Sequence, residues 1–138
     1  MALGVAPGMV LRLYISTLRG GPKDKYCVLA CITPKPRLLL ISSEPSQLKR
    51  DNPDLWGHQV VIDAANHREF LRQDSYIDCS DPYGMSEEEI ARQLNDGSNR
   101  VLCKISPSVL RNLRAVIKSS NLIPGRQIQW MLDALPDP

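Results

Sequence analysis

Three apolar runs crowded into residues 9–43, with the glycines and prolines between them, constrain this chain more than any other feature. MVLRLYIST (9–17) alternates apolar and polar residues, the period of a half-buried strand. Gly20, Gly21 and Pro22 break it, and KDK follows as an exposed loop. KYCVLACIT (25–33) is an apolar strand, turned by PKP (34–36), whose two prolines supply no ladder donors. RLLLISS (37–43) is a third strand. The short connections make the three an antiparallel meander.

The remainder mixes strands with helices. Residues 44–57 read as a long polar loop carrying Pro45, Pro53 and Gly57, the kind that covers a site. HQVVIDA (58–64) is a fourth strand, NHREFLRQ (66–73) a helical turn with Asn66 as its cap, and SYIDCS (75–80) a fifth strand. MSEEEIARQLNDG (85–97) is a helix in which Ser86 and Glu89 form a capping box, the glutamates sit at the positive end of the dipole, and Asn95, Asp96 and Gly97 stop it. RVLCKI (100–105) is a sixth strand. In the next helix Ser106 caps, Pro107 takes the first position, and Val109, Leu110, Leu113, Val116 and Ile117 make one stripe. A last helix over 125–135 carries Ile128, Trp130, Met131 and Leu135. Short strands joined by tight turns curl into a barrel, and helices at one end can plug it. A chain of 138 residues suits one such domain, 1–138, with a helical extension over 120–138.

Composition narrows the function classes. The chain is 43% hydrophobic but 5% aromatic, so Leu, Ile and Val must build the core. A net charge of +2 is too mild to announce nucleic-acid binding, although RGGPKDK and TPKPR are locally basic. Cys27, Cys31, Cys79 and Cys103 form no CxxC pair, which argues against a zinc site; three lie in strand-like runs and read as small buried hydrophobes of a reducing compartment. The first ten residues make a poor signal peptide, and no apolar run approaches the ~18 residues of a membrane span, so a cytoplasmic protein with no membrane contact is expected.

Taken in order, a strand (9–17), a Gly-rich basic loop leading into YCVLACI, then LLLISS, then DSYIDCS, and finally KISPSVLRNLRAVIKSS resemble the PemK/MazF-like toxins of bacterial toxin–antitoxin pairs over most of residues 8–120. The resemblance implies a mainly β fold with C-terminal helices, a small SH3-like barrel of the PemK/MazF/CcdB type. It also implies a homodimer that cuts single-stranded RNA without a metal or other cofactor, as an mRNA interferase inhibited by a cognate antitoxin protein. In such a reaction a ribose 2′-oxygen attacks phosphorus, and a fixed cation with hydroxyl donors stabilises the charge that builds on the phosphoryl oxygens. The family's Arg at the start of the second strand is matched here by Lys25, a point charge that cannot clamp phosphate bidentately. Its Thr or Ser at the end of the third strand is matched by Ser42 or Ser43. Alternation sets Ser42 with Leu40 and Ser43 with Leu39 and Ile41; were the Leu39/Ile41 face the core, Ser42 would face outward, and Ser43 is the favoured candidate.

The resemblance extends to one further position, and the residues themselves add other candidates. Ser75 matches a serine that supports the family's site or its dimer contact, with helix-stop and strand-start chemistry as the ordinary alternative. His67, brought near DSY by the helical turn, is the candidate for proton transfer. His58 and His67 flank one strand about 20 Å long and so do not act as a pair. Arg19, Lys23, Lys35 and Arg37 lie on neighbouring loops as cations for RNA, and Trp56 is a candidate for base stacking, with lid packing as its alternative. Two rival functions share the fold: a non-catalytic barrel binding a protein, such as an enzyme poison, and a phage or plasmid accessory factor. An exposed patch at Trp130 and Met131 would mark the protein binder.

Overall fold

The computed structural model describes residues 3–18 and 21–138; Arg19 lies outside the described residues. Strands β1 (Met9–Ile15), β2 (Lys23–Cys31) and β3 (Arg37–Ser42) form the expected meander. β2 begins two residues earlier than the apolar run suggests, because Lys23 and Asp24 pair with Ile15 and Tyr14 of β1. After β3 the chain forms two short helices, α1 (Gln47–Asp51) and α2 (Pro53–Trp56), where a loop was expected. Their signals are capping residues rather than apolar periodicity: the Ser46 side chain accepts from the Lys49 N–H, the Asn52 side chain accepts from Asp54 and Leu55, and Pro53 takes the first turn.

β4 (Gln59–Ile62) leads into a single 3-10 turn, Ala64–Asn66, capped by Asp63 and not by Asn66. A single turn over 67–71, closed by the Phe70 and Leu71 N–H groups on the His67 carbonyl, is what forms of the helical turn expected over 66–73, and it delivers the chain to β5 (Ser75–Asp78). β6 (Tyr83–Gly84), α3 (Glu87–Leu94), β7 (Val101–Lys104), α4 (Pro107–Lys118) and α5 (Gly125–Ala134) complete the chain. Ser86 caps α3 as expected, but Glu89 turns away from the capping box to pair with Arg92 and Gln93.

The strands form one curled antiparallel half-barrel in the order β4-β5-β3-β2-β1-β7, with β6 added alongside β3. Helical residues are as numerous as strand residues, so the architecture is mixed α/β rather than mainly β. The sheet is also covered on both faces. Val10, Val28, Ala30, Leu39, Ile41, Val60, Ile62 and Ile77 pack under α4 and α5 through Leu110, Leu113, Ile117 and Met131. Leu11, Leu13, Ile15, Cys27, Leu29 and Leu38 face the other way, against Met85 and Ile90 of the α3 region. Double coverage explains why residues 27–31 of β2 are apolar without alternation. Removing a side chain such as Leu113 from water contributes about 2 kcal/mol, and α4 aims four such residues at the sheet.

Polar groups close the remaining gaps. β7 pairs with β1 only as far as Leu11, and beyond it the buried Gln93 takes a strand's part: its amide accepts from Tyr14 N at 2.7 Å and donates to Tyr14 O at 3.0 Å. Arg114 of α4 donates to the carbonyls of Leu132 and Leu135, tying down the end of α5. Met131 is fully buried, and Trp130 packs against the core with Arg37 over its ring, so the exposed patch that would mark a protein binder is not formed. Cys27, Cys31 and Cys79 are buried free thiols, and Cys103 is half-buried. Among the described residues no helix is long and apolar enough to cross a membrane.

Candidate functional site

The site follows from a change of partner along β3. The β2–β3 ladder runs from Cys31 and Arg37 to Cys27 and Leu40 and stops there. β3 then pairs with β5, Ile41 with Ile77 and Ser42 with Tyr76, while β2 continues along β1 to Lys23. The sheet forks, and a groove of about 690 Å³ occupies the fork. Its walls are residues 23–26 of β2 and 41–44 at the end of β3; residues 70–73 of the turn and Ser75 at the start of β5 close it.

Five candidates read from the sequence meet here: Lys23, Lys25, Ser42, Ser43 and Ser75. By alternation from Cys27 and Leu40, Lys25 and Ser42 belong to the same face of the sheet, one on each arm of the fork. Ser43 follows on the opposite face at the exposed lip, on the side of Ile41 and Ser75. The two hydroxyls therefore enter the groove from either side of the strand end. The Ser42 hydroxyl oxygen accepts from the Glu44 N–H at 3.3 Å, which leaves its proton free to donate outward. The Ser75 hydroxyl is buried and donates to the Gln73 carbonyl at 3.1 Å, so it holds the turn that forms the wall.

Lys25 is half-buried. Burial, and then the positive charges of Lys23 and Lys49, hold its ammonium below the usual lysine range, opposed only weakly by Cys27. Cys27 is itself pushed up to about 12 by burial, which makes it a neutral thiol behind the site. Tyr26 and Phe70 form an apolar wall, their ring centroids 4.8 Å apart. Phe70, Leu71, Arg72 and Gln73 were not singled out from the sequence; the apolar pair Phe70-Leu71 beside Arg72 was the available signal, but their place depends on the 67–73 turns. Arg72 adds a third cation to the lining, Asp24 and Glu44 are its acids, and Asp24 is shared with Arg100 at 3.3 Å.

Behind the groove lies a second polar cluster. Asp78, two residues along β5 from Tyr76, receives Lys49 Nζ at 2.9 Å, Gln59 Nε2 at 3.0 Å, and the N–H and hydroxyl of Ser80 at 2.9 and 2.6 Å. Burial opposes its ionisation, but the bonds from Ser80 and Lys49 outweigh that and hold the carboxyl below the usual range.

The other candidates lie elsewhere. His67 is fully buried and does not line the groove. Its Nδ1 lies 2.7 Å from the Asp63 carbonyl, which can only accept, and its Nε2 lies 3.0 Å from the Ser106 N–H, which can only donate. The ring is thus a neutral strut between the 3-10 turn and the start of α4. His58 likewise bridges the Asp54 carbonyl and the Ser120 hydroxyl. Trp56 packs on Tyr76, centroids 5.3 Å apart, with the Arg50 guanidinium over its other side, so it anchors α2 to the sheet. Lys35 and Arg37 sit at the opposite end of β3, about 17 Å along the strand from Ser42, with Arg37 beside Trp130. Comparison with protein-family models and with characterised proteins finds no match for this chain.

Proposed function

We propose that the groove in the fork binds single-stranded RNA and cleaves it by internal transesterification, as the toxin of a toxin–antitoxin pair. The observation that carries this reading is the half-buried Lys25 at the mouth of a groove that also receives the hydroxyls of Ser42 and Ser43. The 2′-hydroxyl gives its proton to water as its oxygen attacks the adjacent phosphorus, the 5′-oxygen leaves and takes up a proton, and the products are a 2′,3′-cyclic phosphate and a 5′-hydroxyl end. Charge developing on the phosphoryl oxygens meets the Lys25 ammonium and a serine O–H, fixed donors in a partly dry site. Holding a lysine below its ordinary range makes its ammonium a better proton donor, here to the leaving oxygen. Lys23 and Arg72 attract the backbone, and the Tyr26–Phe70 wall offers an apolar surface to an unstacked base. No step in this scheme needs a metal.

An SH3-like barrel of the PemK/MazF type, a homodimer, a cytoplasmic location and a cognate antitoxin are further parts of the same reading and rest on the sequence resemblance. The test is incubation of the purified protein with mixed-sequence single-stranded RNA in EDTA, beside the Lys25→Ala variant, with growth after induced expression of each. Cleavage to cyclic-phosphate ends and arrest by the wild type alone are expected. Intact RNA with unimpaired growth would end the nuclease reading, and a Lys25→Ala protein that still arrests growth would favour the protein-binding poison.

A further inference from the structure

The Tyr26–Phe70 wall stands beside a fixed acid. On β2, Asp24 pairs with Tyr14 and Tyr26 with Arg12, so Asp24 and Tyr26 project from one face, opposite to that of Lys25. Both line the groove, with Phe70 against the Tyr26 ring. Two residues along a strand set them about 7 Å apart. A base stacked on the wall, with one hydrogen bond from its edge, spans that length. Asp24 is also held in place. Its Oδ1 receives Arg100 Nη1 at 3.3 Å, and Arg100, its side chain 11% exposed, is itself anchored by Asp96 Oδ2 at 3.0 Å and by the Arg12 carbonyl at 3.0 Å. Among the described residues nothing bonds Asp24 Oδ2, and the side chain is half exposed on the groove. A buried arginine thus fixes an acceptor-only group beside the stacking wall.

We infer that Asp24 reads the Watson–Crick edge of a base stacked on Tyr26 and Phe70, and selects guanine. This rests on the reading of the groove as an RNA site. An ionised carboxylate accepts hydrogen bonds and never donates them. Guanine is the base whose edge sets two donors side by side, N1–H and the N2 amine, to match two carboxylate oxygens. Oδ1 keeps a lone pair for this while it holds Arg100. Adenine and cytosine set a ring-nitrogen acceptor beside their amine, and uracil flanks a single N–H with two carbonyls. Each of the three turns an acceptor toward Asp24 and leaves it unpaired. Glu44, the other acid of the lining, lies on the other arm of the fork, past the end of the strand that would fix it.

The experiment compares bases without turnover. Four 2′-O-methyl pentanucleotides, with uridine flanks and G, A, C or U at the centre, are titrated into the wild type and Asp24→Asn. The wild type should bind the guanine oligonucleotide about tenfold more tightly than the other three. Asparagine offers one acceptor and one donor, so in Asp24→Asn the guanine advantage should vanish. Loss of negative charge alone would tighten all four equally, so the ratio between bases is the readout. Equal affinity for all four in the wild type, or a guanine preference that survives in Asp24→Asn, overturns the inference and leaves the groove an RNA site. Failure to bind any of the four overturns the RNA reading and this inference with it. Guanine-selective binding by a protein that leaves unmodified, guanine-containing RNA intact supports the inference and overturns the cleavage step alone.

Discussion

Lys25 is where stability and the proposed chemistry oppose each other. Burial and two neighbouring ammoniums disfavour its charge in the folded chain, whereas the unfolded chain carries it at the ordinary value of 10.5. Between the folded and unfolded values the unfolded chain binds the extra proton, so stability should rise with pH through that window. Below the folded value the full penalty applies. Lys25→Met removes it and should raise Tm at pH 7 on the order of 1–3 °C, abolish RNA cleavage, and flatten the alkaline rise in stability; thermal melts of both proteins at pH 7 and pH 10 check this. A destabilised Lys25→Met would mean that the lysine is an ordinary surface charge whose stem contributes packing. The residue types at the site were legible in the sequence through the resemblance, which marked Lys25, Ser42, Ser43 and Ser75. The partners that bias Lys25 were not. Lys49 is twenty-four positions away in a polar stretch, on a short helix that no apolar period announces.

At the scale of elements, apolar runs and breakers located the strands well where packing and pattern agree. They failed where pairing overrides composition. Lys23 and Asp24 look like loop residues, yet they continue β2 because Ile15 and Tyr14 present a ladder to them. α1 and α2 lack an apolar stripe, so nothing periodic announces them; the caps Ser46 and Asn52 were the available signal, and the loop reading of 44–57 rested on the prolines and Gly57 alone. The histidine expected to move a proton proves to be a joint between elements. His67 spans the Asp63 carbonyl and the Ser106 N–H, the latter at the start of α4. His67→Ala would leave both groups unpaired inside the protein and open a cavity, at a cost of about 2–4 kcal/mol in urea unfolding. RNA cleavage by the fraction that stays folded should be unchanged in its pH profile. A profile that lost one limb would return His67 to the catalytic machinery.

Across the whole molecule, the curled sheet separates two cationic regions that look continuous in the sequence. Lys35 and Arg37 lie only a few residues before Ser42 and Ser43, but β3 carries them to opposite ends of the sheet. The fork arises because β3 exchanges β2 for β5 at its last two residues, a consequence of long-range pairing that no local pattern encodes. Whether the fork holds a polynucleotide, as proposed, is therefore the central question, and it can be answered without turnover. A single-stranded RNA carrying 2′-O-methyl groups removes the attacking hydroxyl and binds without reacting. Titrated into isotope-labelled protein and followed by amide chemical shifts, it should perturb residues 23–26, 42–44 and 72–75 and leave Arg37, Thr33 and Trp130 in place. Shifts confined to the Arg37 and Trp130 end, or no shifts at all at millimolar RNA, would contradict the assignment of the fork as the nucleic-acid site.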